Sequence, residues 1–184
     1  MNKLLFGTTN QGKLREAENI LGIELDGISL EIDEVQSLDR TLVATKKAEA
    51  YFAQIKKPLF IEDTSLVFNT LGNLPGTFID YFLKELGNDG LLKLLKNNKD
   101  RKSTATVCIV YIDKNQKQLF TGETKGTISL RTKGNKGFGW DPIFIPNGSK
   151  KTFGEMNIEE KNKYSMRRKA LEKFKKRLDK AYPQ

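Results

Sequence analysis

Apolar and polar positions repeat at two periods along the chain, and the switches between them mark its elements. A strand is expected over Lys3 to Thr8, then a turn, then a helix from about Gly12 to Leu21. Leu14, Ala17, Ile20 and Leu21 recur at helical spacing in that segment. A second strand is expected near Ser29 to Val35, and a helix from about Thr41 to Gln54 with Ala44, Ala48 and Tyr51 on one side. Pro58 ends that region, and Leu59-Phe60-Ile61 forms a short buried strand. The order β-α-β-α-β points to an α/β sheet with helices packed on its faces.

The pattern changes after Asn69. Residues Asn69 to Gly76 are rich in turn formers, and Ile79 to Leu86 and Gly90 to Leu95 have helical spacing. Strands follow over Ser103 to Ile112 and Gln118 to Thr127, joined by a hairpin turn at Asp113-Lys114-Asn115-Gln116, with a short strand near Ile143 to Ile145. A C-terminal helix starts near Glu159 or Ser165 and runs to Lys180, with Ala170, Leu171, Phe174 and Leu178 as its apolar stripe. Hairpins beside crossover units predict a mixed sheet.

Composition narrows the class. The 184 residues suit one domain, or one domain with two lobes, and 38% apolar with 30% charged residues describes a soluble globular chain. No apolar run approaches the roughly 18 residues of a membrane span. The first apolar stretch, Leu4-Leu5-Phe6, is too short for a signal peptide, so a cytoplasmic protein without membrane association is expected.

Histidine is absent and Cys108 is the one cysteine, set in the apolar run Val107 to Tyr111. His-based triads, His general bases and intrachain disulfides are therefore excluded, and a zinc site has too few of its preferred ligands. A metal, if one acts, is a hard cation on carboxylates, Mg²⁺ or Mn²⁺. The net charge is +9, and Lys161 to Lys180 holds ten Lys or Arg against Glu172 and Asp179. That segment reads as a solvated helix face with a few residues turned to a small phosphate ligand. A nucleic-acid-binding module is the competing reading, but no recognisable nucleic-acid motif accompanies the charge.

Four clusters carry candidate chemistry. At Thr8-Thr9-Asn10-Gln11-Gly12-Lys13 a strand gives way to a helix. Helix-start amides, the helix dipole and Lys13 together suit an anion, although the same residues would also make an ordinary polar cap. The segment lacks the spacing of a P-loop. Phe60-Ile61-Glu62-Asp63-Thr64-Ser65 ends a buried strand with two adjacent carboxylates. Side chains alternate along a strand, so one of the two faces a given site and can hold Mg²⁺ or orient a water. Gly137-Phe138-Gly139-Trp140-Asp141-Pro142 flanks two aromatics with glycines, either as a core plug or as a nucleobase platform with an acid beside it. Glu159 to Ala170 places Lys161, Arg167 and Arg168 around a helix start, in conflict with the dipole, and Ser165 suits an N-cap.

In this order the four clusters resemble the inosine triphosphate pyrophosphatase family over essentially the whole chain. Ile61 to Leu66 with Leu74-Pro75-Gly76, Phe138 to Pro142 and Glu160-Lys161-Asn162 stand close to the family's form. The resemblance implies an elongated α/β mixed sheet with flanking helices and two lobes around a substrate cleft, a single domain over 1–184, and a homodimer. It implies hydrolysis of nucleoside triphosphates carrying deaminated purines, to the monophosphate and pyrophosphate, in cleansing of the nucleotide pool. By motif, Thr8 to Lys13 cradle the triphosphate with Lys47. Asp63 is the general base and, with Glu34, a metal ligand. Thr64 lies beside the substrate, Phe138, Gly139, Trp140 and Asp141 hold the base, and Lys161 and Arg167 complete the base and phosphate contacts. The family's Ser-His-Arg reads Ser165-Met166-Arg167 here. Met166 offers no hydrogen-bond donor, so base specificity is open, with lost catalysis as the alternative outcome.

Overall fold

The computed structural model describes residues 3–181. Strand β1 (Leu4–Gly7), helix α1 (Gln11–Leu21), β2 (Leu25–Ile28), α2 (Arg40–Ile55) and β3 (Leu59–Phe68) open the chain. They are followed by β4 (Pro75–Gly76), α3 (Ile79–Leu94), the hairpin β5 (Lys102–Ile112) and β6 (Lys117–Ile128), β7 (Phe144–Pro146), α4 (Ile158–Asn162) and α5 (Met166–Ala181). The strands form one seven-stranded sheet in the order β2-β1-β3-β5-β6-β7, with β4 paired to β3. β1 runs parallel to β2 and β3, whereas β4 on β3 and β7 on β6 are antiparallel, so the sheet is mixed. No helix among the described residues is long and apolar enough to cross a membrane.

The chain partitions into two compact units. The first comprises 1–63, 107–122 and 167–184; the second comprises 64–106 and 123–166. In the first unit the pleat sorts the core onto two faces. Leu59 and Ile61 of β3 and Cys108, Val110 and Ile112 of β5 pack on Ala44, Ala48 and Tyr51 of α2. On the other parity Phe60 stacks on Phe6 at 4.3 Å, and Phe174 of α5 meets Phe60 at 5.1 Å, Tyr111 at 5.6 Å and Phe120 at 5.3 Å.

The expected elements recur with four corrections. The second strand lies at Leu25–Ile28 and not at Ser29 to Val35. Leu30 and Ile32 alternate because they lean on the α2 core cluster, and the Leu30 amide donates to the Tyr51 hydroxyl at 3.2 Å instead of to a strand. The two helices expected after Gly76 form one, α3, broken internally at Gly87 (φ 62°, ψ −178°). The C-terminal helix is two, because Asn157 and Glu160 cap a short α4 before α5 begins after Ser165. The short strand expected from Leu59 to Ile61 extends to Phe68.

Candidate active site

In the first unit the turn after β1 is held by its own polar side chains. Thr8 Oγ1 accepts from the Asn10 amide at 3.1 Å, and Asn10 Oδ1 accepts from the Lys13 amide at 3.0 Å. Asn10 is therefore the N-cap of α1. Capping takes up the Lys13 amide, while those of Gln11 and Gly12 have no acceptor within the helix. The cap and the anion-receptive helix start coexist at one turn. Thr9, Asn10 and Gln11 are exposed there.

The two adjacent carboxylates of β3 part as the pleat requires. Glu62 shares its parity with Phe60 and is buried at 5% exposure. Arg167 Nε and Nη2 donate to its two oxygens at 2.7 and 3.0 Å, and Lys13 Nζ stands 3.3 Å from Oε1. Arg167 Nη1 donates to Glu16 of α1. Burial would raise the Glu62 carboxyl, but Arg167 and Lys13 hold it down at about 2. Burial likewise opposes the Arg167 charge, which Glu62 and Glu16 sustain above its ordinary range.

Asp63 shares its parity with Ile61 and belongs to the α2 side. Lys47 of α2 pairs with Glu34 and senses the charge of Asp63. Burial lowers the Lys47 pKa, yet the hydrogen bond to Glu34 and the charges of Glu34 and Asp63 carry it above its usual value. Asp63 also helps push the buried Cys108 thiol up to about 11, after burial itself. Glu34, Lys47 and Asp63 thus form one electrostatic group. Among the described residues no set of three or more His, Cys, Asp or Glu converges as a metal cage. A pair of carboxylates fits Mg²⁺, which takes one or two carboxylates and completes its shell with substrate phosphates and water. Mn²⁺ accepts the same hard oxygens.

In the second unit Phe138 to Asp141 form a closed turn. The Phe138 amide donates to Asp141 Oδ2 at 2.9 Å, and Lys161 Nζ of α4 donates to the same oxygen at 2.8 Å. Asp141 and Lys161 are both buried. Gly137 is required for the closure: its φ is +75°, and a Cβ there would fall 2.1 Å from Asp141 Oδ2. The two aromatics divide their labour. Trp140 is buried edge-on against Phe144 at 5.4 Å, as a core plug, whereas Phe138 is half-buried with Lys161 Nζ 4.9 Å from its ring centre. Gly139 is exposed at the tip of the turn, Thr64 is half-buried on β3, and Met166 is buried at the start of α5.

The structure therefore brings Lys13, Glu62 and Arg167 together, pairs Lys47 with Glu34 where the charge of Asp63 reaches the lysine, and brings Phe138, Asp141 and Lys161 together. Glu16 was not singled out by sequence. It lies three residues after Lys13 on α1, but its partner Arg167 is 151 residues away, beyond the reach of local spacing.

Comparison with known proteins gives concordant results. Residues 4–177 match the Ham1 family. A dITP/XTP pyrophosphatase of Methanopyrus kandleri is 39% identical over 176 residues, covering 94% of each chain. An inosine triphosphate pyrophosphatase of Aspergillus fumigatus is 42% identical over 182 residues, covering 96% of this chain and 95% of its own. The solved structure of a HAM1 protein from Coxiella burnetii superposes with a TM-score of 0.86 at 25% identity, covering 98% of this chain and all of that one.

Proposed function

The chain belongs to the Ham1 family, and on that premise we propose that it hydrolyses nucleoside triphosphates carrying deaminated purines, such as dITP, ITP and XTP, to the monophosphate and pyrophosphate in the cytoplasm. The names of its relatives support the reaction. The observation that carries the reading is the Lys47–Glu34 ion pair of the first unit, on whose lysine the charge of Asp63 also acts. The three residues supply two hard oxygen ligands, a cation for phosphate and a carboxylate for water.

Glu34 and Asp63 are assigned to hold Mg²⁺, with Mn²⁺ as a substitute. When bound, the ion supplies charge neutralisation at the phosphates and acidifies a water. Lys47, Lys13 and the α1 amides of Gln11 and Gly12 bind the triphosphate, with Thr8, Thr9 and Asn10 shaping their turn. Asp63 orients the attacking water and accepts its proton. Water adds at one phosphorus of the α–β anhydride as the bridging bond breaks, so pyrophosphate leaves. The lysines stabilise the charge that develops on the phosphate oxygens. Thr64, next after Asp63 on β3, is assigned to the substrate's edge.

In the second unit Phe138 is assigned to stack on the base, and Gly139 and Trp140 to carry the turn that presents it. Asp141 suits a ring N–H and Lys161 a carbonyl oxygen, the pattern of a 6-oxopurine. Arg167 is assigned, with Lys161, to complete the base and phosphate contacts, and it has a structural task as well. All three of its nitrogens donate to Glu62 and Glu16, so it fixes Glu62, and Glu62 in turn fixes Lys13. Met166 contributes shape alone.

A panel of ATP, GTP, ITP, XTP and dITP with pyrophosphate detection tests the reading. Mg²⁺-dependent pyrophosphate release from the 6-oxo purines supports it. Release of inorganic phosphate only, or triphosphate binding with no turnover, contradicts it. A homodimer is also proposed: light scattering should give twice the 20.9 kDa chain mass, and a mass of one chain would refute it.

A further inference from the structure

We propose that Asn88 is a positioning residue for the base turn, fixing the peptide at Gly139 and thereby the placing of Phe138 and Asp141. The proposal rests on the assignment of that turn to the nucleobase.

Helix α3 is re-aimed immediately before Asn88. Gly87 takes φ 62° and ψ −178° inside the helix, a conformation open to glycine and essentially closed to other residues. No atom lies within 4 Å of where a Gly87 side chain would begin, so the backbone conformation and not crowding selects glycine. After this break, Asn88 Nδ2 donates to the Gly139 carbonyl at 3.1 Å. Its Oδ1 is buried without a hydrogen bond among the described residues. A flipped amide would set that oxygen against the Gly139 oxygen, so the NH₂ group is the one that must face the turn. The next residue, Asp89, accepts from Thr132 Oγ1 at 2.9 Å. One turn earlier, Leu83 Cδ2 stands 3.7 Å from the position of a Gly139 Cβ. Three side chains of α3 thus reach the segment that carries the turn, at both its ends.

The Gly139 peptide is where such a hold has most effect. Gly139 has φ +63° and no side chain to restrain it. Phe138 precedes it, and the Phe138 amide holds Asp141 Oδ2 together with Lys161. Rotation at Gly139 would therefore swing the half-buried ring and loosen the carboxylate together. The groups assigned to phosphate belong to the other unit.

Trp140, the single tryptophan of the chain, follows Gly139 directly. Its emission reports the turn without reference to activity. The experiment compares the full-length protein with Asn88→Ala and the isosteric Asn88→Asp, which removes the donor while keeping the volume. Both variants should raise KM for ITP by about two- to tenfold, the range of one lost hydrogen bond, with kcat within about twofold. The ITP-to-ATP preference should fall, Trp140 emission should move to longer wavelength, and acrylamide should quench it more strongly. If Asn88→Ala fails to fold, the isosteric variant carries the test. Native emission in a folded variant would overturn the proposal, and so would altered emission with native KM and native base preference. Should the unmodified protein release no pyrophosphate from any triphosphate, the functional reading falls, while Trp140 emission still decides whether Asn88 holds the turn.

Discussion

Glu62 and Asp63 are neighbours in sequence with opposite surroundings. Glu62 is enclosed by Arg167 and Lys13, and Asp63 belongs with Lys47 and Glu34. Glu62→Gln removes the carboxylate charge that faces the buried Arg167, and should destabilise the fold by about 3–5 kcal/mol, read from urea midpoints. Glu62 also makes stability depend on pH in a definite sense. Its carboxyl ionises at about 2 in the fold against an ordinary 4.5. Its contribution is therefore complete above pH 4.5 and is lost as the pH falls towards 2. Urea midpoints taken downwards from about pH 6 without divalent ions should fall, and Glu62→Gln should flatten the part due to this group. Strand alternation made legible in sequence that the two acids separate. Which of them meets the arginine was not legible, because Arg167 lies 105 residues away. At Met166, Met166→His restores a donor at a buried position, and should raise the ITP-to-ATP ratio of kcat/KM; an unchanged ratio would remove Met166 from the account of specificity.

At the scale of elements, periodicity located helices well and breaks poorly. Ala44, Ala48 and Tyr51 identified the buried face of α2, and the structure buries all three. The second strand was misplaced because Leu30 and Ile32 alternate against a core rather than within a sheet. The pause at Gly87 was legible as two helices, but only backbone geometry shows a single helix re-aimed at one glycine. Gly87→Ala should cost about 1–3 kcal/mol, since alanine does not enter that conformation without strain; a urea midpoint equal to that of the natural protein would contradict it. The basic C-terminal segment is largely engaged by its own fold. Lys173 donates to the Thr121 carbonyl, Arg177 to Gln116 and Gln118, and Arg168 pairs with Glu172. This disfavours the nucleic-acid reading of the charge. Polynucleotide binding that rises steeply as salt is lowered would restore it.

For the molecule as a whole, the order of motifs identified the family, while the division of labour needed coordinates. Chemistry suited to phosphate and a hard cation resides in the first unit, and an aromatic with a buried Asp–Lys pair resides in the second. The absence of histidine and the single buried cysteine had already excluded histidine bases and left any metal to be a hard cation on carboxylates. The turn at Thr8 to Lys13 illustrates what sequence could not separate: the helix-cap and anion-site readings are both compatible, because Asn10 caps the Lys13 amide while those of Gln11 and Gly12 have no acceptor within the helix. The most direct measurement of the central claim is ³¹P NMR of ITP incubated with the protein and Mg²⁺, alongside Asp63→Asn. The account predicts inosine monophosphate and pyrophosphate in equal amounts, with the substitution slowing turnover by at least about a hundredfold. Inosine diphosphate with inorganic phosphate, or an Asp63→Asn variant as active as the natural protein, would contradict it.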